Sequence, residues 1–404
     1  MEKTLTFAYF YIDTGEQFIG NSVNSFIGIS KRISDMLKWQ KSEEFLEQQD
    51  CPGSARQNTD EKADYLDFVS VVSALAVVFL HTNGCFWNFS ATARYWWTAN
   101  VIECLFYFAV PIFFMISGAT LLDFFQRYGV LDYFARRIRK TVVPYIVWSI
   151  IGLAFRVCYL KNIGRESVNG KYIVRGLLSG GLVEIYWFFI PLFCLYLSVP
   201  LFAAVQDRLR RKVFLYLAVA CFVLNCLIPF MNAVFSINVG YQFSVTVGSG
   251  YLLYLILGYL LHRYEIGRWQ RYALYGTGLV GLMLHIVGTY KLSVAAGSIV
   301  SVYKGYNNVP CVLYSVAVFL LLKQIWGGKL GQMLSAKRLI RFLRNYTFSL
   351  YLVHWYVMKI MVKELDINTQ SIYYRLGAPF VILAVTVFVA ALVRKIPFVK
   401  KILP

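Results

Sequence analysis

The stretch Asp67-Phe-Val-Ser-Val-Val-Ser-Ala-Leu-Ala-Val-Val-Phe-Leu-His81 is an apolar run with a carboxylate at one end and an imidazole at the other, followed by Thr82 and Asn83. Its length and apolarity predict a membrane-spanning helix. At 1.5 Å per residue His81 lies roughly 21 Å along the axis from Asp67. With Asp67 at one face of a bilayer, His81 therefore sits well into the opposite half. An ionisable side chain at that depth costs several kcal/mol unless it faces a polar cavity or a partner, which makes it a candidate functional group. The alternative is a neutral histidine hydrogen-bonded to another helix, and the spacing alone leaves both open.

The composition puts that helix in a membrane bundle. Of 404 residues, 58% are hydrophobic and 17% aromatic against 15% charged, so membrane spans replace soluble domains as the unit of organisation. Ten apolar runs are long enough to cross, at about 66–84, 99–122, 141–160, 182–205, 213–231, 247–262, 272–290, 306–322, 345–362 and 376–393. The expected fold is all-α, a bundle of about ten transmembrane helices occupying residues 66–395. The sixth run is short, so the preceding loop 232–248 either re-enters the membrane or the helix tilts.

The net charge of +19 does not mark a nucleic-acid groove, because the basic residues cluster in short gaps between apolar runs. The gaps after the second, fourth, sixth and eighth spans, with the C-terminal tail 396–404 and its approach, hold 22 Lys and Arg; the alternate gaps hold 9. By the positive-inside bias both termini face the cytoplasm and His81 lies toward the outer side. Residues 1–65 read as a cytoplasmic extension whose part 22–49 has the spacing of an amphipathic helix, suited to an anionic membrane surface or to packing on protein. The apolar stretch nearest the N-terminus is broken by Asp13 and is expected to be too short and too polar for a signal peptide.

The eight cysteines are scattered mostly within apolar runs and read as small core residues. The four histidines, at 81, 262, 285 and 354, show no helical metal spacing, so no metal site is expected. In the second span, Glu103 is a lone carboxylate among Ile102, Cys104 and Leu105 that needs a cation, a proton or water, with Arg156 and Lys359 as partners by sequence. The phrase from Val110 to Gly118 contains Pro111, Ser117 and Gly118, which predict a kink and a close helix approach. Before Pro144, the run Arg136, Arg137, Arg139, Lys140 suits either phosphate oxygens or a solvated positive-inside cluster. Trp187-Phe188 opens the fourth apolar run, and Tyr351 and His354 lie in the ninth, with His354 toward its inner part and a hydrogen bond to a neighbouring helix as its expected role.

These phrases, Leu66-Asp67 through His81, Val110 to Gly118, the basic run to Pro144, Trp187-Phe188 and Tyr346 to His354, resemble in order the integral-membrane acyltransferase-3 family. That family includes bacterial O-acyltransferases of polysaccharides and lipid-linked sugars. The resemblance implies a multi-pass protein of the plasma or inner membrane, an acyl-CoA donor, often acetyl-CoA, as co-substrate without a tightly bound cofactor, and a glycan or lipid-linked sugar as acceptor. It implies His81 as the essential histidine, with Asp67 and Glu103 as further catalytic candidates. Asn83, Ser117, Trp187, Tyr351 and His354 are then candidates for the acceptor or structural pocket. The chain departs from the family where arginine usually stands eleven residues before the histidine: here it is Ser70. Tyr107 and Ile185 stand where the family often has arginine and histidine. Either Arg136 or Arg139 takes over the donor contact, or the activity differs. A transporter using Glu103, His81 and Arg156 as a relay, and an inactive relative, remain the alternatives.

Overall fold

The computed structural model describes residues 54–237, 250–396 and 402–403. Among these every regular element is helical. The chain divides into two units, residues 1–60 and 61–404. The expected amphipathic helix at 22–49 and most of the loop 232–248 lie outside the described residues.

The helices are α1 (Ser54–Thr82), α2 (Arg94–Phe106), α3 (Ala109–Leu121), α4 (Val130–Arg137) and α5 (Val143–Phe155). After them come α6 (Gly170–Ser179), α7 (Phe189–Ala203), α8 (Asp207–Phe222), α9 (Ile228–Phe235) and α10 (Leu252–Arg263). The chain ends with α11 (Arg268–Ala296), α12 (Val309–Ile325), α13 (Leu334–Arg344), α14 (Thr347–Glu364) and α15 (Ile372–Val393). Eight helical stretches among the described residues are long and apolar enough to cross a membrane. The other two apolar runs are also helical. Helix α10 has only 12 residues, and α14, with 18 residues, carries Lys359, Lys363 and Glu364.

Proline chemistry explains the break in the second span. Pro111 has no N–H to offer the Tyr107 carbonyl one turn earlier, so the helix interrupts at Tyr107–Phe108 between α2 and α3. Beyond the break, α3 packs against α10 with almost no side chain between the backbones. A Cβ at Gly118 would lie 1.8 Å from the Leu255 carbonyl oxygen, and one at Gly258 would lie 2.0 Å from that of Met115. Small residues are what permit such approach inside a membrane, where packing and polar contacts hold helices together.

Buried arginines tie the two ends of the bundle. At one end Arg210 reaches Asp123 at 2.7 Å and Asp207 at 2.8 Å, and its Nη2 donates to the carbonyls of Ala203 and Val205, both at 2.9 Å. At the other end Arg375 donates from Nη2 to Thr98 Oγ1 at 2.8 Å, and from Nη1 to the Tyr95 carbonyl at 3.3 Å and Asn83 Oδ1 at 3.4 Å. Asn83 itself donates to the Ala99 carbonyl at 2.8 Å. Each guanidinium thus fastens several helix ends through groups that would otherwise be left unpaired.

Candidate active site

A cavity of about 760 Å³ opens at the Arg375 end of the bundle and reaches inward as far as Val77 and Val110. Its mouth is built from the connections after α1 (Gly84, Trp87, Asn88), before α7 (Glu184, Ile185), after α11 (Lys304, Tyr306) and after α14 (Thr369). These are the lysine- and arginine-poor connections of the sequence. The size suits a small-molecule site.

His81, on the last turn of α1, faces this space and is half-buried. Its ring centroid is 5.3 Å from that of His354, the rings tilted by 33°. His354 therefore lies level with His81, midway along α14, and not toward the inner part of its span as the sequence suggests. Its expected partner on a neighbouring helix is replaced by one on its own: Nδ1 donates to the Leu350 carbonyl at 2.7 Å. Tyr351, one turn before Trp355, lines the cavity and donates to the Ile185 carbonyl at 2.5 Å, which joins α14 to the segment leading into α7.

Two ion pairs flank the histidines. Lys304 meets Glu103 at 3.1 Å, with side chains only 2% and 6% exposed. Around that ammonium stand the faces of Tyr107 at 4.1 Å, Trp87 at 4.6 Å and Phe86 at 5.1 Å, so aromatic quadrupoles add to the carboxylate in holding a buried cation. Tyr107 in turn stacks on Tyr306, with centroids 4.2 Å apart, and Tyr306 lies against Trp187 at 5.5 Å. The second pair joins Lys359 to Glu184 at 2.8 Å, with side chains 35% and 60% exposed. The same carboxylate oxygen accepts from Trp355 Nε1 at 2.6 Å.

The partner of Glu103 is thus neither sequence candidate. Arg156 donates to the Leu182 carbonyl at 3.1 Å, and Lys359 is held by Glu184. Glu103 Oε1 is engaged by Lys304, and Asn83 by the Ala99 carbonyl and Arg375. Of the predicted site residues, His81, Glu103, Trp187 and Tyr351 share the cavity wall, and His354 lies directly behind His81.

The remaining predicted residues are elsewhere. Asp67 is at the opposite end of α1, paired with Arg344 at 3.0 Å. Ser70 is buried within α1, and Ser117 donates to its own helix at the Phe113 carbonyl, 3.0 Å. Arg136 and Arg139 are exposed at the basic end. Arg136 lies 4.6 Å over the Tyr128 ring and Arg139 donates to the Ala135 carbonyl at 3.2 Å. Sequence reading missed Lys304, Glu184 and Arg375. The one signal present was aromatic crowding, since Lys304 stands between Tyr303 and Tyr306 and Arg375 follows Tyr373 and Tyr374.

Residues 63–394 match a known family of acyltransferase domains, that is, most of the chain and all the helices that build the cavity. No curated protein and no solved structure matches the chain.

Proposed function

Because the chain belongs to the acyltransferase-3 family of integral-membrane acyltransferases, we propose that it moves an acyl group, most simply acetyl, from cytoplasmic acyl-CoA to a hydroxyl of an envelope glycan or lipid-linked sugar. The observation that carries this reading is the placement of His81, half-buried on the wall of a cavity large enough for a thioester end and an acceptor ring. That the mouth faces the lysine- and arginine-poor end supports an opening on the outer side of a plasma or inner membrane, where such acceptors are found.

The chemistry follows from the groups present. A neutral imidazole takes the acceptor hydroxyl proton as that oxygen attacks the acyl carbonyl. The new O–C bond forms, the C–S bond breaks, and the departing thiolate takes the proton from His81. The tryptophan rings of Trp187 and Trp87 on the cavity wall give a sugar ring an apolar platform, while Glu184 and Lys359 offer exposed polar contacts at the mouth. Asp67 sits too far along α1 to act on the acyl group and is read as an anchor of the helix. For the donor, Arg136 and Arg139 supply guanidinium groups to the nucleotide phosphates at the basic end, in place of the arginine that Ser70 does not provide. Replacing both by alanine is expected to raise KM for acyl-CoA roughly tenfold, the loss of about one charged hydrogen bond, with kcat nearly unchanged in steady-state assays.

The test is to supply radiolabelled acetyl-CoA to the purified chain in nanodiscs with an envelope glycan fraction. Label recovered as an alkali-labile ester on the glycan supports the reading. Label recovered on amines, or proton-coupled solute uptake without any acyl transfer, contradicts it.

A further inference from the structure

We infer that His354 is a positioning residue for His81, fixing its imidazole in one tautomer so that a nitrogen lone pair faces the cavity. The proposal deepens the reading of His81 as the base and rests on it for its catalytic consequence. It starts from a hydrogen bond whose direction is unambiguous. The Leu350 carbonyl can only accept, so the 2.7 Å contact puts a proton on His354 Nδ1. In the neutral ring the lone pair is then on Nε2. That atom is buried and has no hydrogen-bond partner among the described residues, and the ring beside it is His81, 5.3 Å away between centroids.

An unmade hydrogen bond at a buried acceptor is unfavourable, so a small rotation of the half-exposed His81 ring that points an N–H at Nε2 is favoured. Once it does, a neutral His81 has donated from one nitrogen and keeps its lone pair on the other, toward the cavity. The order reads carbonyl, imidazole, imidazole, acceptor hydroxyl, with every proton pointing toward the Leu350 backbone. This is the division of labour in which a second group orients a base and stabilises it once it is charged.

The other polar groups nearby are engaged in ways that leave Nε2 to His81. Tyr351, with its ring 6.1 Å from that of His354, gives its proton to the Ile185 carbonyl. Lys359 and Glu184 hold each other at 2.8 Å. A packing role alone would ask of His354 only its shape, and would be satisfied by an apolar ring or an aliphatic side chain.

The experiment uses the full chain in nanodiscs with nitrogen-15-labelled histidine. With only four histidines, at 81, 262, 285 and 354, single replacements assign the spectrum. In the wild type His81 is expected to show one tautomer at neutral pH. In His354→Leu it is expected to show a mixture, and in His354→Gln, whose side-chain oxygen restores an acceptor, one tautomer again. Acetyl-CoA turnover should fall roughly 10- to 100-fold in kcat in His354→Leu, the usual loss on removing an orienting partner, with donor KM unchanged and partial recovery in His354→Gln.

A single, unchanged His81 tautomer in His354→Leu overturns the inference, as does an equal loss in the leucine and glutamine variants that tracks their thermal stability. A tautomer shift in a protein whose turnover is indifferent to His81→Ala would leave the positioning intact and sink the reading of His81 as the base instead. The two failures are therefore distinguishable.

Discussion

The two ion pairs on the cavity wall are made of the same residue types and differ in almost everything else. Lys304–Glu103 is enclosed, with 2% and 6% of its side chains exposed. Lys359–Glu184 is open, at 35% and 60%. In the enclosed pair the removal of either partner strands a charge among Tyr107, Phe86 and Trp87, whereas in the open pair solvent takes over. The enclosed pair thus reads as part of the scaffold that pins the Ser301–Tyr306 connection against α2, and the open pair as a surface the acceptor can meet. A carboxylate in a span is a functional candidate until its partner is known, and for Glu103 the partner makes it structural first.

The sharpest way to break this comparison is Lys304→Met. Leaving Glu103 buried and unpaired should lower stability by about 3–5 kcal/mol, seen as a large fall in the thermal midpoint of the purified protein. The double variant Lys304→Met with Glu103→Gln should recover most of it, since an apolar and neutral pair of similar size carries no stranded charge. A single variant as stable as wild type would show that the pair is open in solution.

Gly258→Ala, where α10 meets α3, supplies an uncharged reference. The added methyl must push the Met115 backbone aside, for about 1–3 kcal/mol, and charge compensation should not rescue it. At the small end, Lys359→Met should shift stability by no more than about 1 kcal/mol. Trp355 still donates to Glu184, and raising salt should erase much of the difference. A loss in Lys359→Met as large as that in Lys304→Met would collapse the distinction between the pairs.

The helices were legible in the sequence because a membrane imposes length and apolarity on every crossing segment, and the break near Pro111 was legible because proline removes a specific hydrogen bond. His81 stands out for a related reason: a histidine at that depth needs a polar cavity or a partner, and the structure puts it on the wall of one. Lys304 and Arg375 were not. By sequence both are charges of outward connections, yet the connection after α11 folds back into the bundle, and the first turn of α15 carries Arg375 into contact with Asn83 and Thr98. Hydrophobic periodicity describes how a helix faces its neighbours and carries no information about a loop that turns inward. The sequence alone puts His354 toward the inner end because it stands early in its apolar run, yet α14 spans Thr347–Glu364, and His354 lies near its middle, beside the ring of His81 at the end of α1.

The most direct measurement is the release of free CoA from acetyl-CoA by the purified chain in nanodiscs, wild type beside His81→Ala. Acyl transfer with His81 as base predicts turnover in the wild type, to the glycan or slowly to water, and a loss of roughly a hundredfold to ten-thousandfold in the variant. Equal turnover in the two proteins, or no turnover and no acetyl-CoA binding in either, would contradict it.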